Sequence, residues 1–167
     1  MNWGPINTSN KYVLQEADIS VVFYDRSKDW RAKIVTFTNW TRLHHCGIIL
    51  SIGGESILLM SGKSHRAKFI DADRFHKNFC KPSHTLKLGR AMVSVQQITD
   101  YIRPPYTGDA RSLCVWYFFT NSILRCKSLQ PKTCALLISN ILRICGFYVT
   151  DCVTPKKLYR ELQKLCS

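Results

Sequence analysis

The stretch HHCGIILSIGGESILLMSG, residues 44–62, constrains the fold more than any other. Two apolar runs, 46–50 and 57–60, flank Gly53-Gly54. Paired glycines between such runs predict a tight antiparallel hairpin, because the positive φ angles of the turn cost glycine little. Side chains alternate along a strand, so Cys46, Ile48 and Leu50 take one side and His45, Gly47 and Ile49 the other.

Around this hairpin the periodicities change along the chain. Residues 19–24 (ISVVFY) are β-branched and aromatic and read as a strand. DWRAKIVTFTNW, residues 29–40, spaces Trp30, Ile34, Phe37 and Trp40 as a helix would. A short helix is expected from about Asp71, and HTLKLGR (84–90) reads as a strand. VSVQQITDYI (93–102) reads as a helix that Pro104-Pro105 ends. GDARSLCVWYFFTNSILRC (108–126) is an apolar helix or helix pair. PKTCALLISNILRICG (131–146) is a helix apolar on nearly all sides, closed by Gly146. FYVTDCV (147–153) is strand-like, and Thr154-Pro155 then caps a last amphipathic helix with Leu158, Leu162 and Leu165. Strands early and helices late predict an α+β domain. One domain spans 1–167, with 1–17 as a loosely ordered lead-in.

Composition narrows the partners. Lys and Arg outnumber Asp and Glu by 24 to 11, giving a formal charge of +13. Such a surplus favours anionic partners such as nucleic acid, an acidic lipid face or cell-wall glycan. The basic residues are nevertheless spread along the chain, as a solvated surface would have them. KSHRAK (63–68) is the densest basic stretch, and it fits a loop between strands. The start of the chain has neither the basic opening nor the apolar centre of a signal peptide. The longest apolar patch, LCVWYFF at 113–119, is too short to span a bilayer. A soluble protein with no membrane span is expected.

Eight cysteines lack CxxC pairs and zinc-type spacing to histidine. Several lie in apolar runs, including Cys114, Cys126 and Cys145, where a thiol packs as a small hydrophobe. Free thiols in a reducing compartment such as the cytoplasm are expected, with no metal and no cofactor.

Cys134 is different in position. It falls in the first turn of the 131–146 helix, whether Gln130 or Thr133 is the cap. Backbone N–H groups there are unpaired and partly positive, which stabilises a thiolate. Lys132 adds a neighbouring positive charge. Core filling is the competing reading, because Cys134, Leu137, Ile141 and Cys145 share a helical face. A nucleophilic cysteine also needs a base, and His45, on a strand facing a helix start, has the geometry for a thiolate–imidazolium pair.

These elements, in this order, resemble the circularly permuted papain-like hydrolases of the NlpC type, which include bacterial, phage and poxviral members. AKIVTFTNWTRLHHCGIIL is similar to the family segment in which a helix and a threonine-containing loop lead into a strand of the form His-hydrophobic-Gly-hydrophobic. His45-Cys46-Gly47-Ile48 fits that form and selects His45 over His44. Pro105-Tyr106, the apolar helix after it, TCALLISNILRICG and the Thr154-Pro155 ending follow in the family's order, from about residue 18 to 165. The resemblance implies a permuted papain-like fold, a small antiparallel sheet packed against helices. It also implies Cys134 as nucleophile, His45 as general base and later acid, and the Cys134 N–H as an oxyanion donor. The reaction would be acyl transfer from an amide (peptide or isopeptide, including cell-wall peptide) or an ester such as a lipid acyl bond. Among viral relatives, a virion-associated protein is implied.

One position departs from the pattern. The third polar residue that usually orients the histidine falls at Met60, which cannot do this. Ser61 or His65 can substitute if the register slips by a residue or the loop folds inward, Ser61 being the nearer, and Glu55 is a more remote candidate. An impaired third position would leave a basic binding module on the same fold, recognising an anionic partner such as cell-wall glycan, lipid or nucleic acid. Two further readings are bland. Asp71, Asp73 and Asp109 could pair as carboxylates but suit caps and loops. Tyr101, Tyr106, Trp116 and Tyr117 could stack on bases but suit helix packing better.

Overall fold

A computed structural model describes residues 12–25, 43, 45–61, 67–78, 81–103, 133–152 and 154–166. It is a mixed α/β structure. Five strands, β1 (Gln15–Tyr24), β2 (His45–Ile52), β3 (Glu55–Ser61), β4 (Ala67–Asp71) and β5 (His84–Val93), form one sheet in the order β4-β3-β2-β1-β5. Every neighbouring pair is antiparallel. Among the described residues four helices accompany it: α1 (Ala72–Asn78), α2 (Val95–Ile102), α3 (Cys134–Ile144) and α4 (Pro155–Cys166). None of them is long and apolar enough to cross a membrane.

The expected hairpin forms between β2 and β3. Ile52 pairs with Glu55 around Gly53 and Gly54, whose φ angles of 58° and 90° are the left-handed values that a two-residue turn demands. β1 is longer than the 19–24 run, and Gln15 to Ala17 of the expected lead-in belong to it, with Ala17 buried. It is an interior strand, pairing with β2 on one side and β5 on the other along its length. β5 shifts register opposite Ile19 and Ser20, where Gly89 has φ 101°; the bulge takes up one extra residue.

Period-two alternation sorts the sheet into two apolar faces. Ile19, Val21 and Phe23 of β1 join Cys46, Ile48 and Leu50 of β2 and Leu59 of β3 in the main core, against α2, α3 and α4. Val22, Tyr24 and Leu58 point the other way, and with Ala72 they form a smaller cluster that Ile49, Met60 and Phe75 flank. Phe23 meets Tyr159 of α4 edge-on, with ring centroids 5.1 Å apart at 84°. That geometry suits two aromatic quadrupoles.

The helix ends follow from local chemistry. Thr133 is the N-cap of α3, its side chain accepting from the Leu136 N–H at 3.2 Å. At the other end the Gly146 N–H reaches the Arg143 carbonyl and the Phe147 N–H the Leu142 carbonyl. With φ 87° at Gly146, this is a Schellman close. Thr154 caps α4 through the Lys157 N–H at 3.3 Å, and Pro155 opens it.

Two sequence expectations change. Residues 147–152 are not a strand; among the described residues no strand pairs with them, and they cover the core with Val149 and Cys152 instead. β4 was not anticipated, because its five residues run into α1 and give no full alternating pattern. The helices expected over 29–40 and 108–126, and most of KSHRAK, lie outside the described residues.

Candidate active site

Two elements meet at one sulfur. α3 packs on β2, and its first residue, Cys134, comes to the beginning of that strand. There the Cys134 sulfur has three neighbouring donors: the His45 ring, the Cys46 thiol and the Cys46 backbone N–H. His45 and Cys46 are consecutive, so alternation alone would send them apart. Both reach Cys134 because the helix start lies at the strand end rather than across its middle. Cys134 and His45 are half-buried, and Cys46 is fully buried.

The electrostatics favour a separated proton. The Cys46 thiol hydrogen bond is the strongest influence holding the Cys134 thiol well below its ordinary range. Burial opposes this, while the charge and hydrogen bond of His45 and the Cys46 N–H reinforce it. For His45, burial alone would lower the ring's affinity for a proton. The Cys134 charge, the hydrogen bond to that sulfur and a hydrogen bond to the Ser61 backbone outweigh it and raise the pKa above the ordinary value. A lowered thiol pKa facing a raised imidazole pKa favours transfer of the proton from sulfur to nitrogen. The remaining thiols contrast with it. Burial and the neighbouring Cys134 push Cys46 well up, and burial pushes Cys145 up to about 11.

Ser61, expected as the substitute third polar residue, meets the His45 ring through its main chain rather than its side chain. A His45 ring N–H donates to the Ser61 carbonyl. The close approach depends on Gly47. A β-carbon there would lie 2.9 Å from Leu58 Cδ1 and 3.1 Å from the Leu59 carbonyl oxygen. Its absence lets β3 stay close to β2 as far as Met60, the residue before Ser61. Met60 turns instead into the second cluster. Behind the imidazole stands Tyr24, its partner across β1, stacked at 6.2 Å between centroids and 30°. The Tyr24 hydroxyl in turn meets His76 Nε2 of α1 at 3.0 Å. The sequence offered no sign of Tyr24, since cross-strand pairing depends on a register only the fold sets.

Other candidates separate from this site. Glu55 lies at the hairpin tip, the far end of β3 from Ser61. The Asp71 carboxylate accepts the Arg74 N–H at 2.9 Å and so serves the start of α1, where Asp73 also lies. The Tyr101 hydroxyl accepts from Asn140 of α3 at 2.7 Å, which ties it to packing between helices. His65, Asp109, Tyr106, Trp116, Tyr117 and Lys132 lie outside the described residues. Among the described residues no three metal-binding side chains converge, and the five described cysteines are free.

Comparison of the chain with protein-family models and with curated proteins finds no match to either. The geometry therefore carries the functional reading.

Proposed function

We propose that the protein is a cysteine hydrolase or thiol acyltransferase with a permuted papain-like fold. One observation carries this: a first-turn helical cysteine hydrogen-bonded to a strand histidine that a main-chain carbonyl also holds. The antiparallel sheet, the cysteine-bearing helix packed on it and the histidine-first chain order support the fold reading.

In this reading the Cys134 thiolate attacks the carbonyl carbon of an amide or ester. The oxygen takes the negative charge near the first N–H groups of α3, which have no acceptor within the helix. His45 gives its proton to the departing amine or alcohol as the carbon–heteroatom bond breaks, leaving a thioester on Cys134. Water or another acceptor then loses a proton to His45 and attacks the thioester, which frees the acid or transferred ester and restores the thiolate. The Met60 position does not weaken this scheme, because the Ser61 carbonyl occupies the orienting role.

The test is to incubate the protein with small activated esters and peptide amides and to look for acyl addition by intact mass. Acylation confined to the 133–143 tryptic peptide, lost in Cys134→Ala and slowed in His45→Ala, is the expected result. A Cys134 that reacts no faster than the other thiols overturns the reading and leaves a basic binding module for an anionic partner.

A further inference from the structure

The catalytic scheme uses Cys134 and His45 but gives the thiol of Cys46 no chemistry. Cys46 is fully buried near the start of β2, on the sheet's core face, and half-buried Cys134 packs against that same core from the helix lying on β2, with the Cys46 thiol hydrogen-bonded to its sulfur. A small oxidant can approach half-buried Cys134 but not Cys46. Any oxidised sulfur at 134 therefore has a second thiol already in contact. Cys152, also fully buried, neighbours Cys46 and is not among the groups holding the Cys134 sulfur. Its own side chain faces the Thr150 hydroxyl at 3.9 Å.

We propose that Cys46 is the resolving thiol of Cys134, so that a peroxide converts the pair into an intramolecular disulfide that blocks the nucleophile and that a dithiol reverses. The Cys134 thiolate attacks one peroxide oxygen. The O–O bond breaks, the departing hydroxide takes a proton to become water, and the sulfur becomes a sulfenic acid. Cys46 then gives up its proton and attacks that sulfur. The S–S bond forms as the S–O bond breaks, and hydroxide leaves with the proton as a second water. Two electrons pass from the sulfurs to the peroxide. The return path is thiol–disulfide exchange, in which an added thiolate attacks one sulfur of the bridge. Burial keeps Cys46 protonated and unreactive until a sulfenic acid is beside it, which fixes the order of the two steps. The inference needs Cys134 to be reactive and does not need it to transfer acyl groups.

The full-length reduced protein is treated with hydrogen peroxide at neutral pH, its remaining thiols are blocked with iodoacetamide, and trypsin is added. The peptides 43–63 and 133–143 each hold a single cysteine, Cys46 and Cys134. The expected result is that these two peptides are linked, the intact protein is lighter by two hydrogens, and dithiothreitol restores both peptides. Cys46→Ala, checked for native circular dichroism, should lack the link; its Cys134 should be trapped by dimedone and then over-oxidise beyond rescue by dithiothreitol. Wild-type protein whose Cys134 over-oxidises without the linked pair overturns the proposal, as does a link from Cys46 to Cys152 or between two chains. Absence of the link with Cys134 still open to acylation removes this inference alone, whereas an inert Cys134 removes the enzymatic reading with it.

Discussion

Replacing Gly47 with alanine tests whether the tight approach of β3 to β2 holds the His45 ring in place. The new β-carbon would stand 2.9 Å from Leu58 Cδ1, 3.1 Å from the Leu59 carbonyl oxygen and 3.4 Å from Met60 Cβ. Favourable carbon contacts lie at about 3.5–4.0 Å, so the Leu58 methyl clashes and the Leu59 oxygen is tight, while Met60 Cβ sits at the edge of ordinary contact. Leu58 could turn its methyl away in open space, but it is fully buried against Val22, Tyr24 and Ala72. The Leu59 oxygen is main chain and cannot rotate without moving β3. Overpacking of this kind costs about 1–3 kcal/mol. Alanine also restricts the unfolded chain, which returns about 0.4–1 kcal/mol. The net expectation is a loss of about 1–2 kcal/mol, or a fall in Tm of about 2–8 °C at this chain length.

Thermal unfolding measures that loss, and the rate of Cys134 alkylation by iodoacetamide at neutral pH measures its effect on the site. Ser61 follows Met60 on the displaced strand, so its carbonyl should draw back from His45 and the alkylation should slow. Gly54→Ala is the control: it strains a φ of 90° with nothing within 4 Å of the new atom. It should lower stability and leave the alkylation rate alone. A Gly47→Ala protein as stable as wild type would refute the packing argument. One that is less stable but alkylates at the wild-type rate would refute the coupling to the site.

In the wild type, alkylation of Cys134 should persist below the pH at which ordinary thiols fall silent, decline only as the pH drops through its lowered pKa, and change again at higher pH as His45 loses its proton. His45→Ala removes the cation, so the decline should move to higher pH while the Cys46 hydrogen bonds limit the shift; an unaltered rate–pH profile would show that the pair is not electrostatically linked. Thr133→Ala deletes the cap of α3, and urea unfolding should register a loss of about 0.5–2 kcal/mol. Phe23→Ala empties a fully buried site against Tyr159 and should cost about 3–5 kcal/mol in the same assay.

The parts of the fold that were legible in the chain are those fixed by local chemistry. Gly53-Gly54 specified the hairpin, Thr154-Pro155 the start of α4 and Gly146 the end of α3, because each meets a backbone demand that few residues satisfy. Cys134 and His45 could be named by position and resemblance, and the structure brings them into contact. What could not be read depends on register. Tyr24 lies behind His45 only because β1 and β2 pair with Tyr24 opposite His45. Cys46 looked like a core residue by alternation, which it is, and nothing local showed that its S–H would also meet Cys134. The misread 147–152 stretch has strand-forming residues but no pairing strand among the described residues, and strand propensity without a neighbour does not make a strand.

The Met60 position changes what a third orienting residue means. A carboxylate beside His45 would carry charge, raise the imidazole pKa further and titrate on its own. The Ser61 carbonyl offers a fixed dipole that accepts the ring N–H and never ionises. In the proposed scheme the orienting work thereby passes from a side chain to the main chain, whose position depends on the β2–β3 register and on the missing side chain at Gly47. Side chain 60 is then released to pack the second cluster, and a methionine serves that purpose well. It follows that this site should tolerate substitution at Met60 and respond sharply at Gly47, the reverse of a site in which a charged third residue steers the ring.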